Sequence, residues 1–460
     1  MTRRTRRTSK TSSTRSNSTP RTIGNLTALA ASLLLTCLTT GASAASPDTA
    51  PRHLKVWFMW GSVPAPVVDR LVGEFEAAHP GVEVDVELQS WVGIQERLEA
   101  ALASGDSPDV VELGTTTTPS FASAGLLKDL SAKADALGSR EWIPSLRESG
   151  NWQGKQYGVP LYAASRVVIY RTDLFAQAGL DTPRDQKEWV RTTRALGRAH
   201  QADPGFQPIY LPGQNWYVLS GLLHDRGGRL ATHDGTRWHG GLATAEAASA
   251  LKYYRTLQSL SQAPKDRDEA HPFQYEELAK GGIGQMVGLP WELADAERIN
   301  PALRGKLGMF PVPGLSADRP GSVFLGGSNL AVSARSAQPE AALEWVAGIT
   351  GPEAQKRIAA ANGTLPNRLA LAREVDSPVV RVQAEAAANG HTTPVDPRWP
   401  LVEAEPNPVK TLLTDVLTGQ PARAAGRRAD LAVEERLNGT PPPSAGTPPS
   451  PAGGRAGPLH

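Results

Sequence analysis

Three stretches decide the fold: His53-Leu-Lys-Val-Trp-Phe-Met-Trp60, Val82-Glu-Val-Asp-Val-Glu-Leu88 and Pro108-Asp-Val-Val-Glu-Leu113. The first is β-branched and aromatic and stops at Gly61, as a buried strand does. The second alternates strictly between apolar and acidic, the mark of a half-buried strand. The third is a short apolar strand behind a proline. Between them, apolar residues at 67, 68, 71, 72 and 75 form a helical stripe closed by Pro80-Gly81, and a second helix spans 93–104. Strand, helix, strand, helix, strand predicts an α/β fold with a parallel, doubly wound sheet. Such sheets bind ligands in the crevice beyond the carboxyl ends of their strands. That rule puts Trp60 and Gly114-Thr115-Thr116 at a mouth.

Further along, helices are expected over 173–179, 187–200 and 244–260. A strand over 283–289 ends at Pro290-Trp291, a strand runs over 323–333, and a helix over 338–349. The remainder to 437 reads as helical with proline punctuation. A chain of 460 residues exceeds what one hydrophobic core usually serves, so two domains or two lobes are expected.

The ends differ from this body. Residues 1–44 hold seven basic side chains and no acid, followed from Ile23 to Leu38 by an apolar run and then by Gly41-Ala42-Ser43-Ala44. A charged region, an apolar region and Ala-x-Ala in that order form an export signal. The apolar run falls short of the roughly 20 residues a membrane span needs. Two processing outcomes are open: cleavage after Ala44, or lipidation of Cys37 in a lipobox-like Leu34-Leu35-Thr36-Cys37. Residues 45–53 read as a linker, and 438–460, rich in proline and glycine, as a disordered tail.

The charge balance follows from this division. The whole chain counts 48 Lys+Arg against 46 Asp+Glu, and without the leader 41 against 46. That acidic surplus argues against nucleic acid as a partner. No His-Glu-x-x-His, Gly-x-Ser-x-Gly or phosphate-loop pattern occurs, the nine histidines are scattered, and the lone cysteine lies in the leader. No cofactor and no metal are expected. Carboxylate pairs abound, so a secreted carbohydrate-active enzyme stays open as an alternative.

Several stretches together carry a family resemblance. They include Phe75-Glu-Ala-Ala-His-Pro-Gly-Val-Glu-Val84, Ala101-Leu-Ala-Ser-Gly-Asp-Ser-Pro-Asp-Val-Val111, Tyr157-Gly-Val-Pro160, Ile169-Tyr-Arg-Thr-Asp-Leu-Phe-Ala-Gln-Ala-Gly-Leu180 and Gly288-Leu-Pro-Trp291. In this order the body resembles the extracellular solute-binding proteins of bacterial ABC importers, in the group of maltose-binding and other sugar-binding proteins. The resemblance implies a periplasmic-binding-protein-like fold: two α/β lobes joined by hinge strands, with a ligand cleft between them. By analogy the chain crosses near 166–171, 318–323 and 366–370. Lobe one is then 54–170 plus 321–366, and lobe two 171–320 plus 367–437. It further implies a monomer outside the cytoplasm that captures a mono- or oligosaccharide and delivers it to ABC permease subunits. The membrane is met only through that permease or a lipid anchor at Cys37. A non-sugar solute such as glycerol phosphate is the other reading.

A sugar site needs aromatic faces for stacking and a few fixed polar groups. Trp189 and Trp345 sit in helical stripes and read as core. Trp60, Trp216-Tyr217 in an expected loop, and Trp291 read as mouth aromatics. Polar candidates are Thr115, Thr116, Glu112, Tyr162, Ser165 and Ser328-Asn329, with Gly326-Gly327 expected to allow close backbone approach or to form a bulge. Arg166 is a candidate for an acidic solute. Maltose-type relatives carry a carboxylate where this chain has Ala164 and an aromatic near 405–407, where Trp399 is the nearby substitute. Both departures argue against a maltodextrin preference.

Overall fold

The computed structural model describes residues 52–439. The expected export signal, Cys37, most of the linker and the tail from 440 lie outside the described residues. Strand Arg52–Met59 already takes up the last expected linker positions. It lies between Val82–Gln89 and Val110–Gly114 and runs parallel to both, with helices Ala65–Ala78 and Ile94–Ala103 as crossovers. The strand–helix alternation produces this part of the sheet as expected.

The rest of the sheet corrects the parallel reading. Val323–Val332 lies antiparallel to Val110–Gly114 on one side and to Gly158–Ser165 on the other. Its direction follows from its origin: it arrives from the other lobe, against the strands that start in this one. Ten extended residues span about 33 Å. That reach lets Val323 sit in the core of lobe two while Leu330 and Val332 sit in the core of lobe one.

Lobe two is built on a three-stranded antiparallel sheet with Val167–Arg171 between Gln285–Gly288 and Leu307–Pro311. Helix Gln186–Ala199 turns Trp189, Thr193 and Leu196 toward that sheet. The Trp189 indole Nε1–H donates to Gln285 Oε1 at 2.8 Å, which satisfies the one polar atom of a fully buried side chain. Trp345 is buried in the core of lobe one, also as its stripe predicts.

The first crossing is abrupt. Gly158–Ser165 ends and Val167–Arg171 begins with Arg166 alone between them. The second runs from Pro311 to Val323. The third differs from expectation. Leu371, Ala372, Val375 and Val380 are buried, and the last three pack with Ala163, Leu325 and Leu365 of lobe one. Helix Pro378–Ala387 straddles the two cores, with Val380 and Ala387 in the lobe-one packing and Ala386 in the lobe-two core; beyond it Gly390–His391 pairs with Val323–Phe324 and Trp399 enters the lobe-two core. The expected assignment of all of 367–437 to lobe two does not match this packing; apolar spacing cannot say which of two cores a helix faces. Among the described residues no helix is long and apolar enough to cross a membrane.

Helix Gln186–Ala199 is capped by Asp185, whose side chain accepts from the Lys187 and Glu188 backbone N–H groups at 2.8 Å each. Replacing Asp185 with Ala removes both bonds and should cost about 1 kcal/mol, read as a lower midpoint in urea denaturation.

Candidate functional site

The carboxyl edge of the lobe-one sheet carries the first half of the site. Trp60 follows the first strand and is 73% exposed, while its backbone N–H donates to Gln89 O at 2.8 Å. Trp91 follows the second strand in the same way and is 44% exposed. An indole in water forgoes a few kcal/mol of burial, from roughly 200 Å² of surface at about 25 cal/mol/Å². Two at one sheet edge therefore call for a partner surface. Thr116 is half-buried beside them, and Thr115 is buried with its N–H donating to Gly327 O at 3.1 Å.

Beneath this edge lies a polar cluster. Glu112 is 0% exposed; its Oε2 accepts from the Met59 N–H at 2.8 Å and its Oε1 from the Ser62 hydroxyl at 2.6 Å. The Tyr162 hydroxyl is 3.4 Å from Ser62 Oγ and 3.3 Å from Ser328 Oγ. Burial pushes the Tyr162 hydroxyl far above its usual range, so it is a neutral donor or acceptor.

Lobe two supplies the other half. Trp291 is 45% exposed in the first turn of helix Pro290–Ile299. Gly288 pairs with Val167, so this turn stands next to the first crossing. Tyr217 is half-buried, stacked on Trp216 with ring centroids 4.1 Å apart. The Arg166 guanidinium lies over the Tyr217 ring at 4.2 Å and donates through Nη2 to Glu269 Oε1 at 3.2 Å. Arg166 is buried and its charge is met by Glu269 through Nη2, while its Nε and Nη1 have no hydrogen-bond partner.

Several expected contacts are corrected. Trp216 opens a helix, Trp216–Asp225, rather than sitting in a loop, and its indole is buried among core residues. Ser165, Ser328 and Asn329 are fully buried; the Asn329 amide donates to Thr118 Oγ1 and Ser149 Oγ, behind the strand. Glu112 has no surface for a ligand. Gly327 serves strand packing: a Cβ there would meet Tyr162 O at 2.3 Å. The register shift falls one position later, between Ser328 and Asn329. Trp399 is fully buried and donates to Glu403 Oε1 at 2.7 Å, so it is no substitute aromatic at the mouth.

Trp91, Ser62, Glu269 and Glu292 were missed. The rule that found Trp60 also points to Trp91, since both follow parallel strands. Glu269 reaches Arg166 across 103 positions, a pairing with no local signal.

Away from these tryptophans, a cavity of about 630 Å³ opens between Pro144 and Glu148 of lobe one and His224, Arg229 and Trp238 of lobe two. Its only aromatic besides histidine is Trp238, buried and bonded to Asp396. A stacked pair, His224 and His391, forms one wall, with centroids 4.2 Å apart and Ser322 Oγ near both Nδ1 atoms. The exposed indole faces lie at the sheet edge and on helix Pro290–Ile299, and none of them lines this cavity.

Residues 61–356 match the profile of the bacterial extracellular solute-binding protein family. The chain is 40% identical over 399 residues to the diacetylchitobiose binding protein DasA of Streptomyces coelicolor, covering 86% of this chain and 92% of that protein. It is 30% identical over 178 residues to a mannitol-binding protein of Pseudomonas aeruginosa, covering 37% of this chain and 38% of that one. Among solved structures, the sugar-binding protein MalE of Xanthomonas citri matches with a TM-score of 0.73 at 24% identity, over 84% of this chain and 97% of that one. The GacH receptor of Streptomyces glaucescens matches at 0.70 and 20% identity, over 85% and 99%. These likenesses establish the two-lobed fold.

Two predictions follow from the site's packing and charge. Gly327→Ala should lower stability by about 1–3 kcal/mol in urea denaturation, the usual cost of overpacking. Desolvation pushes Glu112, Glu292 and Glu403 up to about 7 from 4.5, so the stability tied to their neutral forms is lost as pH rises through 7. Desolvation lowers His224 to about 4 and His391 to about 3 from 6.5, so the stability tied to their neutral forms is lost as pH falls below 6.5 toward those values. Three carboxyls outweigh two imidazoles between pH 4.5 and 6.5, so calorimetric melting across pH 4–9 should show the highest stability near pH 4.5, a fall to pH 7 and no further change from these groups above it, and Glu403→Gln should lessen that fall.

Proposed function

Because the chain belongs to the bacterial extracellular solute-binding protein family, we propose that it captures an acetylated amino-sugar disaccharide of the diacetylchitobiose kind for an ABC importer. The lobes close on the sugar by bending at the three crossings, and the closed form is presented outside the cytoplasm to a membrane permease. The observation that carries this reading is the presence of exposed tryptophans on both lobes, Trp60 and Trp91 on one and Trp291 on the other. Both groups connect to one continuous strand path. Tyr162 faces the Trp60 turn through Ser62, and Val167 pairs with Gly288 next to Trp291. Five residue steps along the chain lead from Tyr162 to Val167, roughly 16 Å if extended, which suits a ligand of two rings better than one.

The relative of 40% identity is a disaccharide-binding protein and not an enzyme. The enzymatic alternative loses its footing with it, and the buried carboxylates Glu112 and Glu292 sit in separate lobes bonded to backbone. Glycerol phosphate is disfavoured because Arg166 is already paired with Glu269. The protein acts as a monomer, reaching the membrane through its permease or a lipid on Cys37.

Titration calorimetry with diacetylchitobiose, N-acetylglucosamine, maltose and glycerol 3-phosphate tests this reading. Diacetylchitobiose should bind stoichiometrically without turnover and more tightly than the others; tighter binding of maltose or glycerol phosphate overturns the ligand assignment. Trp291→Ala should weaken diacetylchitobiose at least tenfold, about 1.4 kcal/mol, with the melting temperature of the free protein unchanged.

A further inference from the structure

Two carboxylates in the two lobes stand in the same relation to an exposed tryptophan. In lobe one, Glu112 binds both ends of the turn that carries Trp60: the Met59 N–H before it and the Ser62 hydroxyl after it. The outer side of that turn is held too, since the Asn362 amide donates to Gly61 O and Ser62 O at 3.0 Å each. In lobe two, Glu292 Oε2 accepts from the Leu289 N–H at 2.6 Å and from Gln274 Nε2 at 2.9 Å. Leu289 and Glu292 bracket Pro290-Trp291 as Met59 and Ser62 bracket Trp60-Gly61. The Gln274 amide also donates to Val287 O at 3.0 Å, which ties the turn back to the sheet. A Cβ on Gly288 would come within 2.5 Å of Glu292 Oε2, so the carboxylate lies directly against the backbone there.

We propose that Glu112 and Glu292 are positioning residues of the sugar cleft, each fixing from beneath the turn that presents a tryptophan face to the ligand. The inference rests on the cleft reading proposed above. Neither carboxylate has surface for a sugar, so neither acts by contact. A buried carboxylate is a costly way to hold a turn when a neutral Ser, Thr or Asn would serve. Position 112 shows this sharply: its strand neighbours Val110, Val111 and Leu113 are all apolar and fully buried. What the ionised group adds is two strong bonds to two separate donors, which leaves the turn one conformation. Rigid aromatic faces spare the ligand the ordering entropy of a mobile indole.

The surroundings define how the two clamps respond to pH. Glu112 faces Ser62, Ser328 and the neutral Tyr162 hydroxyl. Glu292 faces Gln274, with Arg166, Glu269 and Tyr275 as the charged or titratable groups around it. Desolvation raises both carboxyls to about 7. Below that pH a proton on Glu112 occupies an oxygen that accepts a bond, and that clamp loosens; Glu292 takes both donors on Oε2, so a proton on Oε1 leaves its clamp in place.

The test uses the full-length protein labelled with 5-fluorotryptophan, with Trp60→Phe and Trp291→Phe assigning the two resonances. In Glu112→Ala the free protein's Trp60 resonance should shift and sharpen while Trp291 stays put; Glu292→Ala should do the reverse. Diacetylchitobiose binding by calorimetry should fall at least tenfold in each. Glu292→Gln, which keeps one acceptor oxygen for both donors, should restore most of it, whereas Glu112→Gln, which like the protonated acid offers one acceptor oxygen to two donors, should not. Wild-type affinity should weaken from pH 8 to pH 5, and Glu112→Gln should lose that dependence. Unchanged tryptophan resonances in folded alanine variants overturn the proposal. If an alanine variant does not fold, an unchanged pH profile in Glu112→Gln, or lost binding in Glu292→Gln, overturns it. The fluorine readout needs no ligand. Failure of the wild type to bind diacetylchitobiose would therefore count against the ligand assignment alone.

Discussion

Continuous β-strands joining two separate hydrophobic cores are the constraint on which the remaining structure depends. Val323–Val332 begins in one core and ends in the other, and Gly158–Ser165 passes into Val167–Arg171 through the single residue Arg166. Each strand keeps its backbone groups bonded within the lobe it serves, so the lobes are rigid and the bending is confined to a few residues at the junctions. The same geometry sets where a ligand would be held under the reading proposed above. The ends of the strands nearest the junction carry the turns with exposed side chains, and those ends approach one another when the junction bends.

Against that frame the molecule makes two opposite departures from ordinary burial. Large indoles stand in water at Trp60, Trp91 and Trp291, while carboxylates lie buried at Glu112 and Glu292. Each departure opposes folding, and at Trp60 and Trp291 the two occur within one turn. In the proposed complex a sugar face would cover that exposed apolar surface. The carboxylate cost is partly offset by charge-assisted bonds to backbone N–H groups and, at Glu292, by the positive end of a helix.

The first five elements were legible because their signals are local. Strict alternation over 82–88 and an i, i+3, i+4 stripe over 67–75 each fix an element without reference to distant residues, and parallel order follows from strand–helix alternation. Trp189 and Trp345 were legible as core for the same reason. Trp216 was misread because Pro212-Gly213 looks like the start of a loop, whereas Asn215 caps a helix at that point. Asn329 and Ser328 were misread because a glycine pair marks close approach without saying of what; here the neighbour is the Tyr162 carbonyl of the adjacent strand. The third crossing was misplaced because helices over 369–387 carry apolar faces that suit either core.

The sequence by itself determined the α/β class, the strand ends at which side chains meet a cleft, the excess of acid in the body and the family to which the body is similar. These depend on periodicity, composition and short motifs, all of which act over a few residues. Folding in three dimensions settled which strand-end residues face solvent, that Arg166 is answered by Glu269, that Glu112 and Glu292 are buried and bonded to the turns above them, and which core receives each late helix. Those facts depend on contacts between positions up to about three hundred residues apart, such as Asn362 against Gly61. Burial and hydrogen-bond partnership are properties of the packed whole, and no local pattern encodes them.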